Sequence, residues 1–313
     1  MTFCPTPATK YVVLFGNPLA HSLSARLHNA VFRAWKWDCL YYPLESDGAE
    51  ALGRILSVLP LFHIVGANVT MPYKETVISF LDRLDAGAAE CGAVNTIVVT
   101  ASGLVGHNTD GTGFLRSFTE TFGESLEGKR LLVAGAGGAA KSLVFALLRA
   151  GVERVVVYNN NEARAKGLVE RVEAFHPGKC VWHPLEDKPV PAAAVREADI
   201  LLNTTKMGMR GALEGASPFN FASLRPGQFV CDAVYNPPET RLLAEAAAAG
   251  CRTLGGEGMF LHQAAEAFFL WFGQYPDVDL MRDVFREHFR TVQHSGVRRT
   301  SAEVRTPRCD MPT

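Results

Sequence analysis

Lys74 and Asp110 are two side chains of this sequence whose types could move a proton. Lys74 ends the segment Asn68-Val69-Thr70-Met71-Pro72-Tyr73-Lys74, and Asp110 sits in Asn108-Thr109-Asp110-Gly111. Pro72 disfavours an α conformation at Met71, so Thr70 and Met71 are expected at a strand end. Lys74 is then expected at the start of a helix running to about Leu84, where the positive end of the helix dipole disfavours a cation. An anion partner or a lowered pKa would account for it, and so would an ordinary solvated lysine. The Asn-Thr-Asp-Gly run is, by itself, often a turn or a helix cap. A carboxylate beside Lys74 would make a paired acid–base site, but spacing alone does not bring the two together. Asn95 and Asp110 do bracket a β-hairpin pattern, so its open end could bring them near each other.

The second chemical feature binds rather than reacts. Leu131 to Ala134 is a short apolar run with no helical period, followed by Gly135-Ala136-Gly137-Gly138-Ala139-Ala140 and a helical stretch from Lys141 to Arg149. Between a strand and a helix, this spacing has a physical job: Gly135 permits the tight turn and Gly137 lets the backbone approach a pyrophosphate. Ala140 allows close packing, and the helix offers free N–H groups to the anion. A dinucleotide-binding fold is the reading. A third feature, Ser22 and Ser24 after His21, lies at the start of a helix expected over about 25–35. Taken alone, helix caps are the preferred explanation of these hydroxyls.

The elements that must position these residues alternate. Strands are expected at 11–15 and 41–44, with a helix at 49–59, which makes a first α/β domain ahead of the glycine turn. Further strands at 155–158, 198–203 and 228–234 and an alanine-rich helix at 240–249 continue the cofactor domain. A long apolar helix at 259–272 returns to the first domain; its aromatics Phe260, Phe268, Phe269, Trp271 and Phe272 read as core. The expected division is a substrate-binding domain of 11–110 plus 257–292, a Rossmann-type domain of 111–256, and disordered tails at 1–10 and 293–313.

Composition excludes several classes. Hydrophobic residues make up 48% and charged residues 20%, enough for sizeable cores. A net charge of −1 gives no general attraction to nucleic acid or anionic membrane. No apolar run approaches the roughly 18 residues of a membrane span, and a signal layout is missing, so the chain reads as soluble and cytoplasmic. Seven scattered cysteines without a C-x-x-C pair argue against zinc or a disulfide framework.

Taken together, these blocks resemble the shikimate dehydrogenase family. The likeness is carried by Phe15-Gly16-Asn17-Pro18-Leu19-Ala20-His21-Ser22-Leu23-Ser24, Asn68 to Lys74, Gly92-Ala93-Val94-Asn95-Thr96, Asn108 to Gly111 and the glycine turn. It continues through Asn203-Thr204-Thr205, Asp232-Ala233-Val234-Tyr235-Asn236-Pro237 and Gly256-Glu257-Gly258-Met259 with Gln263. The resemblance implies two α/β domains, substrate-binding and Rossmann-type, with the C-terminal helices returning to the first. It implies reversible NADPH-dependent reduction of 3-dehydroshikimate to shikimate, a step toward chorismate and the aromatic amino acids. Lys74 and Asp110 would be the catalytic pair. Ser22, Ser24, Thr70, Asn95, Tyr235 and Gln263 would join them in holding the substrate, which displaces the capping reading of the serines. Gly135, Ala136, Gly137, Gly138 and Ala139 would carry the pyrophosphate, with Ala233 and Gly256 near the nicotinamide.

One departure bears on the cofactor. The second cofactor-domain strand ends at Asn159-Asn160-Asn161, where NADP-using relatives usually have an arginine in the place of Asn160. Arg164 remains to meet a 2′-phosphate, Lys206 stands in a loop where relatives are uncharged, and no acidic residue sits at the strand tip. NADP is preferred, with NAD the alternative in a quinate/shikimate dehydrogenase. A non-catalytic metabolite-binding paralogue is the other rival, and the intact Lys74 and Asp110 count against it. The small-molecule substrate is the expected partner, with a homodimer left open and no metal expected.

Overall fold

The computed structural model of the chain describes residues 4–20, 22–186 and 189–295. It is built on two six-stranded sheets. The first comprises β1 (Lys10–Gly16), β2 (Cys39–Glu45), β3 (Ile64–Val69), β4 (Arg83–Leu84), β5 (Thr96–Thr100) and β6 (Gly103–His107), in the spatial order β2-β1-β3-β5-β6-β4. β1 runs parallel to β2 and β3, whereas β5 is antiparallel to both β3 and β6. The expected hairpin is therefore β5-β6, and its open end holds Asn95 and the Thr109-Asp110 turn. Helices α1 (Ser24–Ala34), α2 (Ala49–Val58) and α3 (Ala86–Cys91) complete this half, and α4 (Asp110–Phe122) leads out of it.

The second sheet is parallel throughout: β7 (Arg130–Ala134), β8 (Arg154–Asn159), β9 (Cys180–Pro184), β10 (Ile200–Asn203), β11 (Phe229–Asp232) and β12 (Arg252–Leu254). Its order, β12-β11-β10-β7-β8-β9, reverses direction between β7 and β10. That crevice, at the carboxyl ends of the strands, is where an open α/β sheet takes a nucleotide. Leu131, Leu132, Val133 and Ala134 are all buried, which explains an apolar run without alternation: both faces of β7 are covered. The covering helices are α5 (Gly138–Arg149), α6 (Glu162–Phe175), α7 (Ala192–Glu197) and α8 (Arg241–Ala248).

The chain then returns. α9 (Gly256–Phe272) and α10 (Val278–Ser295) place Leu261, Phe268, Met281 and Phe285 in one core with Val12 and Leu14 of β1 and Leu27 and Val31 of α1. α4 and α9 cross closely at Gly113, where a Cβ would lie 2.6 Å from the backbone nitrogen of Gln263. Inside the first core His28 is fully buried and stacks on Tyr41 at 4.6 Å between ring centroids, with Trp271 at 5.4 Å. Both of its ring nitrogens are without hydrogen-bond partners, and burial pushes its pKa down to about 3.

Four expectations change. The helix expected from Lys74 to about Leu84 is a short 3-10 turn, Thr76–Phe80, followed by β4. Thr76, Val77 and Ile78 are β-branched in succession, which weakens an α-helix, and the Tyr73 hydroxyl is held by the Ser46 carbonyl and the Gly48 N–H. The dipole argument for Lys74 therefore lapses. The N-terminal extension is not loose where described: Thr6 and Thr9 each donate a 2.6 Å hydrogen bond to the Asp38 carboxylate. The boundary at residue 293 falls inside α10, which runs to Ser295; the rest of the expected tail, 296–313, and His21 lie outside the described residues. Finally Phe269, assigned to the core, is 38% exposed and stacks on Tyr275. Among the described residues, no helix is long and apolar enough to cross a membrane.

Candidate active site

Lys74 and Asp110, the expected catalytic pair, meet where the two halves face each other. Lys74 follows the turn after β3, and Asp110 opens α4. Their side chains form an ion pair at 2.5 Å, with Lys74 17% and Asp110 5% exposed. The partner that spacing could not supply is thus the aspartate itself. Asp110 is held on both sides: Asn95 donates to its other carboxylate oxygen at 2.9 Å, and its own N–H donates to the Asn108 side chain at 3.1 Å. A carboxylate fixed in this way keeps its charge aimed at one lysine.

Asn95 is the hub of the site. It accepts from the Thr109 N–H at 2.8 Å and donates toward the Gln263 side-chain oxygen at 3.4 Å. Behind it, Asn68 donates to the Asn95 carbonyl at 3.0 Å while accepting from the Tyr41 hydroxyl at 2.8 Å. Reading the sequence missed Tyr41, Asn68 and Thr109 as supports. Asn68 lay inside a marked segment, but nothing in its type separates a support from a ligand contact.

The remaining substrate candidates have contacts of their own. Thr70 lies at the tip of β3 against Gly16, where a Cβ would come within 2.4 Å of the Thr70 methyl. Ser22 and Ser24 hydroxyls are 3.4 Å apart. The N-cap position of α1 is taken by Leu23, with no side-chain cap bond, and the Ser22 hydroxyl makes only a long, 3.4 Å contact with the Ser24 N–H at the helix start. Tyr235 stacks on Phe260 at 4.5 Å, and burial pushes its phenol up.

The cofactor candidates form a second cluster at the sheet's reversal point. Gly135 has φ +110, a conformation that favours glycine, and its N–H donates to the Tyr158 carbonyl at 2.8 Å. A Cβ on Gly137 would meet nothing within 4 Å, so the space beside it is open. Gly137 is also the N-cap of α5, and no side chain caps that helix. An open approach to uncapped N–H groups fits a pyrophosphate. Ala233 and Gly256 touch: a Cβ on Gly256 would lie 2.6 Å from the Ala233 carbonyl. Beneath them Asp232 is buried, accepting from Asn203 at 3.0 Å, the Val234 N–H at 3.0 Å and Thr240 at 2.7 Å. Burial outweighs those bonds and pushes its carboxyl up to about 6.

At the tip of β8 the three asparagines differ in use. Asn159 donates to the Asn161 carbonyl at 2.7 Å, and Asn161 caps α6 by accepting from the Arg164 N–H at 2.9 Å. Asn160 is exposed, as is Arg164, while Lys166 is taken up by Glu162 at 2.7 Å. The two clusters adjoin, since a Cβ on Gly138 would lie 3.3 Å from the Lys74 side chain.

Known proteins similar to this chain cover most of its length. Residues 14–97 match the family model described as the shikimate dehydrogenase substrate binding domain, 117–208 the shikimate / quinate 5-dehydrogenase model, and 256–284 the shikimate 5'-dehydrogenase C-terminal domain. The NADP(+) shikimate dehydrogenase of Moorella thermoacetica is 42% identical, over 90% of this chain and 94% of its own. Among solved structures, the shikimate 5-dehydrogenase of Listeria monocytogenes, in complex with shikimate and NAD, superposes with a TM-score of 0.82 at 34% identity. It covers 91% of this chain and 99% of the other. The quinate dehydrogenase of Corynebacterium glutamicum in complex with NAD gives 0.81 at 33% identity, covering 89% and 99%. With relatives this similar across nearly the whole length, the chain belongs to the shikimate dehydrogenase family.

Proposed function

We propose that this protein is an NADP-dependent shikimate dehydrogenase, reversibly reducing 3-dehydroshikimate to shikimate. The observation that carries the reading is the Lys74–Asp110 pair at 2.5 Å, set against the glycine turn whose space fits a pyrophosphate. The bound dinucleotide supplies the hydride; the chain supplies orientation and the proton. As charge builds on the ketone oxygen, Lys74 Nζ stabilises it and donates a proton, with Asp110 holding the ammonium in place. In the reverse direction Lys74 takes the alcohol proton. Ser22 and Ser24 meet the substrate carboxylate, and Thr70, Asn95, Tyr235 and Gln263 present donors and acceptors to its remaining oxygens. Residues 11–110 with 257–292 form the substrate-binding part and 111–256 the cofactor part.

NADP rests on Arg164 and Lys206. Both are exposed, and among the described residues neither side chain has an ion-pair partner. The Thr204 hydroxyl lies against Gly135, which brings the loop carrying Lys206 onto the glycine turn from the side opposite β8. Two unpaired cations flanking the turn, with no acid at the β8 tip, favour a 2′-phosphate. Asn160 supports the second reading, an NAD-dependent quinate/shikimate dehydrogenase. The enzyme would work in the cytoplasm without a nucleic-acid partner, in keeping with a net charge of −1.

The test is nicotinamide reduction by the purified protein with shikimate or quinate against NADP⁺ or NAD⁺, alongside Lys74→Ala. Turnover with shikimate and NADP⁺ that falls by roughly 10²-fold or more in Lys74→Ala is expected. An unchanged turnover number in that variant would refute the role of Lys74.

A further inference from the structure

The first turn of α5 does more than face a pyrophosphate: it is tied to both members of the catalytic pair. Glu75, next to Lys74 in the chain, forms an ion pair with Lys141 of α5 at 2.5 Å. Asn108, whose side chain fixes the Asp110 N–H at 3.1 Å, donates to the Ser142 hydroxyl at 2.7 Å, and Ser142 donates to the Gly138 carbonyl at 2.9 Å. Gly138 itself abuts the Lys74 side chain, so a Cβ there would sit 3.3 Å from it. Glu75 and Asn108 belong to the substrate-binding half, whereas Lys141, Ser142 and Gly138 belong to the cofactor half. Lys141 is only 13% exposed and sits in the opening turns of a helix, where the dipole disfavours a cation unless an anion compensates it. Glu75 is that anion.

We infer that Glu75–Lys141 and Asn108–Ser142 form a strap across the cleft that sets Lys74 and Asp110 against the cofactor helix, making Glu75 and Lys141 positioning residues. This inference rests on the dehydrogenase reading. The strap fixes the proton donor relative to the turn that holds the dinucleotide, so hydride and proton arrive at one substrate carbonyl in register. Loss of the strap leaves substrate binding by the first half intact and loosens the geometry of the transfer.

The experiment is a double-mutant cycle of Glu75→Gln, Lys141→Gln and the pair, with Glu75→Asp as the charge-keeping control. The half-exposed Glu75 carries no core packing, and thermal melts check that each variant folds. Steady-state kinetics are read as kcat and the two KM values separately, and shikimate affinity is measured by calorimetry without cofactor. Expected are a fall in kcat of about tenfold in each single variant, no further fall in the double, partial recovery in Glu75→Asp, and an unchanged shikimate affinity. Additive losses, or a kcat equal to that of the wild type, would overturn the strap. So would a change confined to the cofactor KM of Lys141→Gln, which would assign that lysine to the pyrophosphate alone. A wild-type protein that neither binds nor oxidises shikimate would overturn the dehydrogenase reading and the strap with it, whereas an active wild type with indifferent Glu75→Gln overturns the strap only.

Discussion

Replacing His28 by phenylalanine should remove much of the acid lability of the substrate-binding half. His28 is fully buried, and burial pushes its pKa from 6.5 down to about 3. The fold therefore holds a neutral imidazole while the unfolded chain protonates at the ordinary value. For a base depressed in the folded state, the stability it permits is complete above pH 6.5 and is lost as pH falls below that, until the folded value is reached. From 6.5 to pH 5 is 1.5 units, and at 1.36 kcal/mol per unit the loss is about 2 kcal/mol. Phenylalanine keeps a ring stacked on Tyr41 and removes two nitrogens that have no partners. It does not titrate. Urea unfolding of both proteins at pH 7 and pH 5, followed by tryptophan fluorescence, reads the effect directly, because Trp35, Trp37 and Trp271 lie in the same core. The wild type should lose about 2 kcal/mol more than His28→Phe over that interval. Carboxylates common to both proteins cancel in the difference. Equal losses would show that His28 is accessible to protons in the folded protein, and would refute the reasoning.

Asp232 titrates in the opposite sense. Its folded value is raised to about 6, so the charged form is disfavoured in the fold and stability is withdrawn as pH rises from 3.8 through 6. Relative to Asp232→Asn, the wild type should gain about 1 kcal/mol on going from pH 7 to pH 5, measured by the same urea melts; a difference independent of pH would refute the shift. Arg164→Ala and Lys206→Ala should each weaken NADP⁺ binding about 5- to 10-fold, with little effect on NAD⁺. Calorimetric titration at two salt concentrations checks this, and equal losses for both cofactors would remove the 2′-phosphate assignment.

How much of this site was legible in the sequence depends on the range of the forces involved. The glycine turn was legible because its causes are local: a buried strand of apolar residues, a positive φ at Gly135, and a helix whose N-cap, Gly137, has no side chain. For Ser22 and Ser24 the same local logic holds in part: Leu23 takes the N-cap position, while the Ser22 hydroxyl still accepts from the Ser24 N–H at 3.4 Å. The helix expected at Lys74 failed because tertiary contacts of Tyr73 and a β-branched run outweigh a weak propensity.

The pairing of Lys74 with Asp110 was not derivable from spacing, because it depends on which strand lies beside β3. β5 does, antiparallel, with Asn68 opposite Thr96, and so Asn95 reaches the lysine's side of the sheet. β6 then returns with Thr96 opposite His107 and delivers Asp110 to the same edge. Register fixes the pair, and register is a non-local property. Family resemblance supplied what local physics could not, naming Lys74, Asp110 and Asn95 together. It was silent on Glu75 and Lys141, since charged residues next to Lys74 and on a helix look like solvated surface until the two halves of the chain face each other. That is also why the strap is the informative place to perturb: it runs from loops beside the first sheet to a helix covering the second, so its effect measures how the halves cooperate rather than how either one folds.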